Sequence, residues 1–421
     1  MSDNGNPRTS VFSHWRWVAS LLLAAILIGF WLRQRPRPVA ASLPVPKIVH
    51  PAAPSIERAA VPNKPRTVGA AATLDICGLG KVPLDASDPY AAGRYVGEYA
   101  NKARGRWLSA LMDSDDIRAR ATGLFLEGRI RGSGPVRQID DQTRDALVQL
   151  AVGASDPAIY AMAVYACNTY SDPAPAGSCQ QISLNSWARL DTDNAVPWLL
   201  VAGQAHAKND AATERAAFGQ AAKAHKADDY NDSLYTFAAS ELPSDVTPLE
   251  RWYLAIEIIG IEGATASLQY NSASKHCSAE AMQNGDIRQQ CNALAELMVS
   301  KGTTLLDFSV GIRIGARAGW SSARVASLTE ERDALMQAIT QATPTNNDDL
   351  WTCDGVRRGN AYMGQRVRLG ELGAARDALE RSGETVAESA QKQRDFIEKI
   401  TRDAQQREAT APAEPPPTSE P

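Results

Sequence analysis

Between Leu74 and Glu408 apolar residues recur at three- and four-residue spacing in alanine-rich windows, and no stretch alternates convincingly with period two. Such spacing lines apolar side chains along one face of a helix, so the pattern predicts helices and no strands. In Ile117–Ile130, for example, Ala121, Leu124, Phe125 and Ile130 share a face, and Asp140 and Asp141 are suitable caps for a helix through Thr143–Val152. Asp156-Pro157 opens the next helix, Ala158–Cys167, with proline in the first turn, where its missing N–H costs nothing. Further helices are predicted around 181–190, 196–208, 211–224, 248–261, 286–299, 303–318, 321–342, 348–368, 372–381 and 384–407. Short connections rich in Gly, Asn, Asp and Pro favour antiparallel neighbours. The body is therefore expected to be all-α, built of stacked antiparallel helical hairpins as an α-solenoid or packed as an irregular helical bundle.

One apolar run has no periodicity at all. Trp17 to Leu32 is sixteen residues without a charge, closed by Arg16 and Arg33. As a helix it spans about 24 Å, a little short of the hydrocarbon core, and snorkelling arginines with local thinning cover the deficit. Trp15, Trp17 and Trp31 stand at its ends, where indole rings favour the headgroup level. One uncleaved transmembrane anchor is favoured over a cleaved signal peptide ending near Ala40 and Ala41, and over a buried soluble helix. Arg33, Arg35 and Arg37 with Pro36 and Pro38 make a poor cleavage region. The expected order is a cytoplasmic stub over 1–16, the span over 17–32, a proline-rich tether over 33–73, the helical body over 74–408 and a disordered proline-rich tail over 409–421.

Charge separates these regions further. Residues 1–66 hold nine Lys or Arg against two acids, a net of +7, so the chain's overall −4 leaves −11 on the remainder. An acidic body offers no basic surface for nucleic acid, and no nucleic-acid partner is expected. The positive-inside count points the body to the cytosol, with Arg8 and Arg16 before the span and Arg33, Arg35, Arg37 and Lys47 after it. Six cysteines and the short polar N-terminus argue the other way. The expectation is a single-pass protein of the inner (plasma) membrane with its body on the periplasmic, extracytoplasmic side.

Cys77, Cys167, Cys179, Cys277, Cys291 and Cys353 include no CxxC, which counts against a zinc ribbon or a thioredoxin-like motif. Local spacing suggests Cys167 with Cys179 and Cys277 with Cys291, the latter bracketing a helical stretch over Ser278–Asp286. Cys77 and Cys353 remain to tie the start of the body to its end. This is one of fifteen connectivities, and six reduced thiols in a cytosolic body is the alternative. Gly311, Gly315 and Gly319 lie four apart and are expected to let a neighbouring helix approach closely. Arg313, Arg317 and Arg324 are read as partners of the acidic surface before an anion-binding stripe.

Residues 190–198, Leu-Asp-Thr-Asp-Asn-Ala-Val-Pro-Trp, resemble the junction between successive hairpins of tetratricopeptide-type repeats, with Thr192 where proline is usual. Trp198, Phe218 and Ala221 follow at offsets that the repeat uses for interlocking core residues, while Ala202, Ala205 and Glu214 depart from its pattern. Gly370, Ala375 and Leu379 make a second partial match. The resemblance covers about 190–221 well, and it implies stacked hairpins with Trp198 on a first helix and Phe218 on a second. It implies a groove for a protein partner whose identity is not readable.

Catalytic signatures are few. No HExxH, GxSxG or GxxxxGK[ST] occurs, and no cofactor, metal or catalytic residue is expected. SxxK appears at Ser272–Lys275 and Ser389–Lys392 without the SDN and KTG elements that give it meaning, and is read as chance. Cys77-Gly78-Leu79-Gly80-Lys81 lacks the spacing and the preceding strand of a phosphate loop. Adjacent His276 and Cys277 diverge on a helix and make a poor nucleophile and base pair. Asp115-Asp116, Asp228-Asp229 and Asp348-Asp349 are read as caps and solvated turns. Two functions remain: a non-enzymatic envelope protein presenting a hairpin groove to a partner, which is favoured, and an envelope enzyme whose catalytic carboxylates are distant in sequence.

Overall fold

An antiparallel hairpin opens the body, β1 (Ala72–Ile76) pairing with β2 (Gly80–Leu84) so that Ile76 faces Gly80. No strand is expected from the pattern, and this is a correction. Each strand buries a single residue fully, Ile76 or Val82, which is too little alternation to register. Gly78 and Gly80, at φ +77° and +71°, make the turn that L side chains rarely allow. The segment Cys77–Lys81 thus does have a strand before it, but it is a hairpin turn whose Cys77 N–H donates to the Trp351 carbonyl at 2.9 Å.

The structure, a computed structural model, describes residues 72–85, 88, 90–131, 140–167, 176–265, 268–344 and 347–410. The expected span Trp17–Leu32, the tether up to residue 71 and the tail from residue 411 lie outside these. Among the described residues no helix is long and apolar enough to cross a membrane.

Among the described residues the elements after the hairpin are helices: α1 (Ala91–Met112), α2 (Ile117–Arg131), α3 (Asp141–Ala154), α4 (Pro157–Cys167), α5 (Leu184–Leu190), α6 (Ala195–Ala207), α7 (Ala211–Ala221) and α8 (Leu234–Ala239) in the first half. Then follow α9 (Pro248–Thr265), α10 (Leu268–His276), α11 (Gly285–Lys301), α12 (Leu305–Ala318), α13 (Ser322–Ala342), α14 (Asn347–Leu350), α15 (Cys353–Ser382) and α16 (Val386–Thr410). Side-chain caps start many of them: Asp140 accepts from Thr143 N–H, Asp210 from Thr213 N–H, and Thr304 forms a reciprocal box with Asp307. Ser278–Asp286 is not one helix. A 3-10 turn over Ala281–Gln283 gives way to α11, which Asn284 caps. α15 kinks at Gly370, φ +70°, where the pattern predicts a break between two helices.

Helices pack largely on their sequence neighbours, as in α1–α2–α3–α4, α6–α7 and α11–α12–α13. Longer-range contacts of α10 with α6, of α9 with α1 and of α15 with α9 join these units. One core runs from Ile76 to Ala374 through Trp107, Phe125, Trp187 and Phe218. A smaller one lies between α12, α13 and α15 around Leu305, Phe308, Ile312, Leu335, Leu372 and Ala375. Three disulfides close the body: Cys167–Cys179 and Cys277–Cys291 locally, with Cα atoms 5.5 and 5.8 Å apart, and Cys77–Cys353, at 4.5 Å, between the β-hairpin and the start of α15.

A Cβ on Gly311 would stand 2.9 Å from the Met298 and Val299 side chains of α11, so this glycine sets a close helix contact. Gly315 makes room for the Trp320 ring, 2.3 Å from its Cβ position. Gly319 does not pack: it caps the C-terminus of α12 at φ +103° with nothing within 4 Å. Arg324 pairs with Glu296 through two 2.6 Å hydrogen bonds and lies over the Trp320 ring.

Candidate functional site

The stretch entering α6 is held by Asn194, which is fully buried. Its amide donates to Asp191 Oδ2 at 2.8 Å and to the Asp228 carbonyl at 2.6 Å, while its Oδ1 accepts from Val196 N–H and Asp228 N–H. One side chain thereby fastens the start of α6 to the loop that follows α7. Asp191 is buried and also takes the Tyr230 hydroxyl at 2.9 Å and the Lys226 ammonium at 2.9 Å.

That loop carries Asp228, Asp229, Tyr230, Asn231 and Asp232 into the interior, and this corrects the reading of Asp228-Asp229 as a solvated turn. Asp229 is 4% exposed, and its oxygens accept from Asn231 N–H and the Gln269 amide. Asp307 is also buried and accepts from Thr303 N–H, Thr304 N–H and the Tyr270 hydroxyl. Arg366 answers from α15, 2.7 Å from Glu262, 3.8 Å from Glu371 and donating to the Asp232 carbonyl at 3.4 Å. Glu262, Glu371 and Asp232 thus face one guanidinium, while Asp228, Asp229 and Asp307 extend the acidic cluster beyond it, with Lys226 beside Asp228.

Burial and mutual repulsion push these carboxyls up. Asp228 and Asp307 rise to about 6 and Glu262 to about 8, in each case chiefly through desolvation, and Asp229 rises well above the carboxylate range for the same reason, with Asp232 and Asp307 adding to it. Asp228, Asp229 and Asp232 bring one oxygen each within 4.8 Å of the others, a hard-cation donor set, but Asp229 already spends both oxygens on neighbours. The space beside Asp229, Tyr230 and Asn231 leaves no room for a water molecule, so no substrate reaches these acids from that side.

A second constellation opens between α6, α7 and α10. A cavity of about 170 Å³ is lined by Leu200 and Phe218 as apolar floor and by Gln204, His206, Glu214, Asn271, Ser272, Lys275 and His276 as polar wall. Glu214 Oε2 is 3.2 Å from His206 Nδ1, and its Oε1 is 3.8 Å from His276 Nδ1. The His276 ring stacks on Phe218 at 3.7 Å between centroids and 21° between planes. Burial pushes the His276 pKa down, against Gln290 and Glu214, which favour the charged ring.

The residues singled out from the sequence fall in several places. Phe218 and Ala221 of α7 are fully buried, whereas Trp198 of α6 is half-buried, at the core's edge, its indole N–H donating to the Thr192 carbonyl at 3.2 Å. Ser272 and Lys275 both line the cavity. Ser389 is buried on α16 and donates to the Ala334 carbonyl, and Lys392 pairs with Glu384. His276 is turned to the cavity and Cys277 is in a disulfide, so the two do not work together. The buried acid cluster and the cavity escape sequence reasoning. A usable signal exists for the first: Arg366 shares a helix face with Tyr362 and Met363, and Glu262 follows Ile258 by one turn, so a charge sits on each apolar face.

No family model matches the sequence, and neither a curated protein nor a solved structure matches it.

Proposed function

We propose that the chain is a membrane-tethered, non-enzymatic binding protein of the cell envelope, anchored by Trp17–Leu32, whose stacked hairpins offer the groove between α6, α7 and α10 to a protein partner. The observation that carries this reading is the polar-walled cavity on the resembling hairpin itself, with exposed His206, Asn271 and Lys275 at its mouth and Phe218 beneath. Concave surfaces between helical hairpins are suited to partner recognition. The oxidised cysteines support placing the body outside the cytosol, since structural disulfides persist in oxidising compartments. An enzyme built on the acid cluster is less well supported, because the space beside Asp229 has no room even for a water molecule.

The test is photo-crosslinking in intact cells with the full-length chain carrying a reactive residue at Gln204 or Asn271 in the groove, or at Val152, exposed on α3, as a control. A discrete adduct common to the two groove positions and missing at Val152 is expected. No adduct, or the same adducts from all three positions, overturns the reading.

A further inference from the structure

We propose that the cavity between α6, α7 and α10 is a binding site for a free α-amino acid with an apolar side chain. The proposal rests on reading this groove as a binding surface, and it names a small ligand in addition to the protein partner.

The walls carry opposite charges on different helices. α10 contributes the Lys275 ammonium, with Asn271 one turn before it and Ser272 beside it, three donors suited to a carboxylate. α7 contributes the Glu214 carboxylate, half-buried, whose Oε2 is engaged by His206 while Oε1 stands 3.8 Å from His276, beyond hydrogen-bond distance. A simple anion would meet Glu214, and a simple cation would meet Lys275. A molecule carrying an ammonium and a carboxylate on one carbon satisfies both walls.

Size and floor narrow the class. A cavity of about 150 Å³ holds a benzene-sized molecule, so 170 Å³ accommodates an amino acid of modest side chain. Leu200 and Phe218 give that side chain an apolar surface, and the Phe218–His276 stack fixes the ring wall. His276 completes this wall: it is 8% exposed, lines the cavity and turns its Nδ1 towards Glu214 Oε1. Gly203 keeps α6 close to α10, since a Cβ there would lie 2.2 Å from the Ser272 hydroxyl.

Calorimetric titration of the full-length protein in nanodiscs with L-leucine and L-valine tests the site, with leucinamide, which lacks the carboxylate, and N-acetyl-leucine, which lacks the ammonium, as comparison ligands. Saturable binding of at least one amino acid is expected, with both derivatives weaker. Lys275→Gln and Glu214→Gln are each expected to weaken it roughly tenfold, about 1.4 kcal/mol, with Asn271→Ala as an exposed-site variant that keeps the fold intact and also weakens binding. No saturation by either amino acid up to about 10 mM overturns the proposal, as does equal binding by either derivative or undiminished binding by all three variants. A crosslinked adduct in the groove without amino-acid binding removes this inference and leaves the partner reading standing, whereas the loss of both removes both.

Discussion

Asn194 concentrates more of the architecture than any apolar residue in the junction it belongs to. Asn194→Ala would strand the Val196 and Asp228 N–H groups and the Asp228 carbonyl, and would remove a donor from Asp191. At about 1–3 kcal/mol for each buried group left unsatisfied, the variant is expected to melt far below the parent in a thermal scan. Arg366 is the other such residue. Arg366→Gln leaves Glu262 facing Glu371 and Asp232, an uncompensated buried charge of the kind that costs about 3–5 kcal/mol. Because the same carboxyls take up protons readily, the loss should be larger at pH 8 than at pH 5, and urea melts at the two values check it. From the sequence, Asp228-Asp229 reads as a cap or solvated turn, because carboxylates beside turns are most often that. What hides their burial is that it depends on α9, α12 and α15, which lie far along the chain.

Helices themselves are legible wherever their buried face is made of large apolar residues. α2, α3, α4, α6, α7 and α11 to α13 fall close to their predicted windows, and the Gly370 break is visible as a glycine between two periodic segments. α1 is missed although it has 22 residues, because its buried face includes Gly97, Ala100 and Ala103, small residues that carry little hydrophobic signal. The β-hairpin and the six-residue α8 are missed for want of length. Gly311, Gly315 and Gly319 show how spacing alone misleads: Gly311 meets a neighbouring helix and Gly315 the Trp320 ring, but Gly319 lies past the end of α12 and meets nothing. Gly311→Ala forces its methyl into α11 and should cost about 1–3 kcal/mol, despite alanine's better helix propensity. Gly319→Ala meets no atom and should lose only about 1 kcal/mol to backbone strain. Chemical denaturation of the two variants side by side separates crowding from strain.

Across the whole molecule, the acid cluster makes stability depend on pH. A carboxyl whose folded pKa is raised stabilises the fold fully below its unfolded value near 4, and the contribution is lost as pH rises through the folded value. The window therefore runs from about 4 to about 6 for Asp228 and Asp307 and to about 8 for Glu262. His276 acts oppositely, its lowered pKa giving stability above about 6.5 that is lost on acidification, but it is one group against several. The melting temperature should be several degrees higher at pH 5 than at pH 8, and the reverse order would mean the cluster is not protonated in the fold. Reduction should loosen the body as well: Cys77 and Cys353 are 276 residues apart, and replacing the pair with serine is expected to cost about 2–5 kcal/mol, read by calorimetry of oxidised parent and variant. The groove is the account's central claim, and Asn271→Glu reaches it directly, since this exposed residue lines the cavity and a new carboxylate there alters its mouth without touching the core. The measurement is the yield of the crosslinked adduct from Gln204 in full-length parent and Asn271→Glu proteins of matched melting temperature. The account predicts a yield reduced roughly tenfold with the melting temperature unchanged, and an undiminished yield at unchanged melting temperature would contradict it.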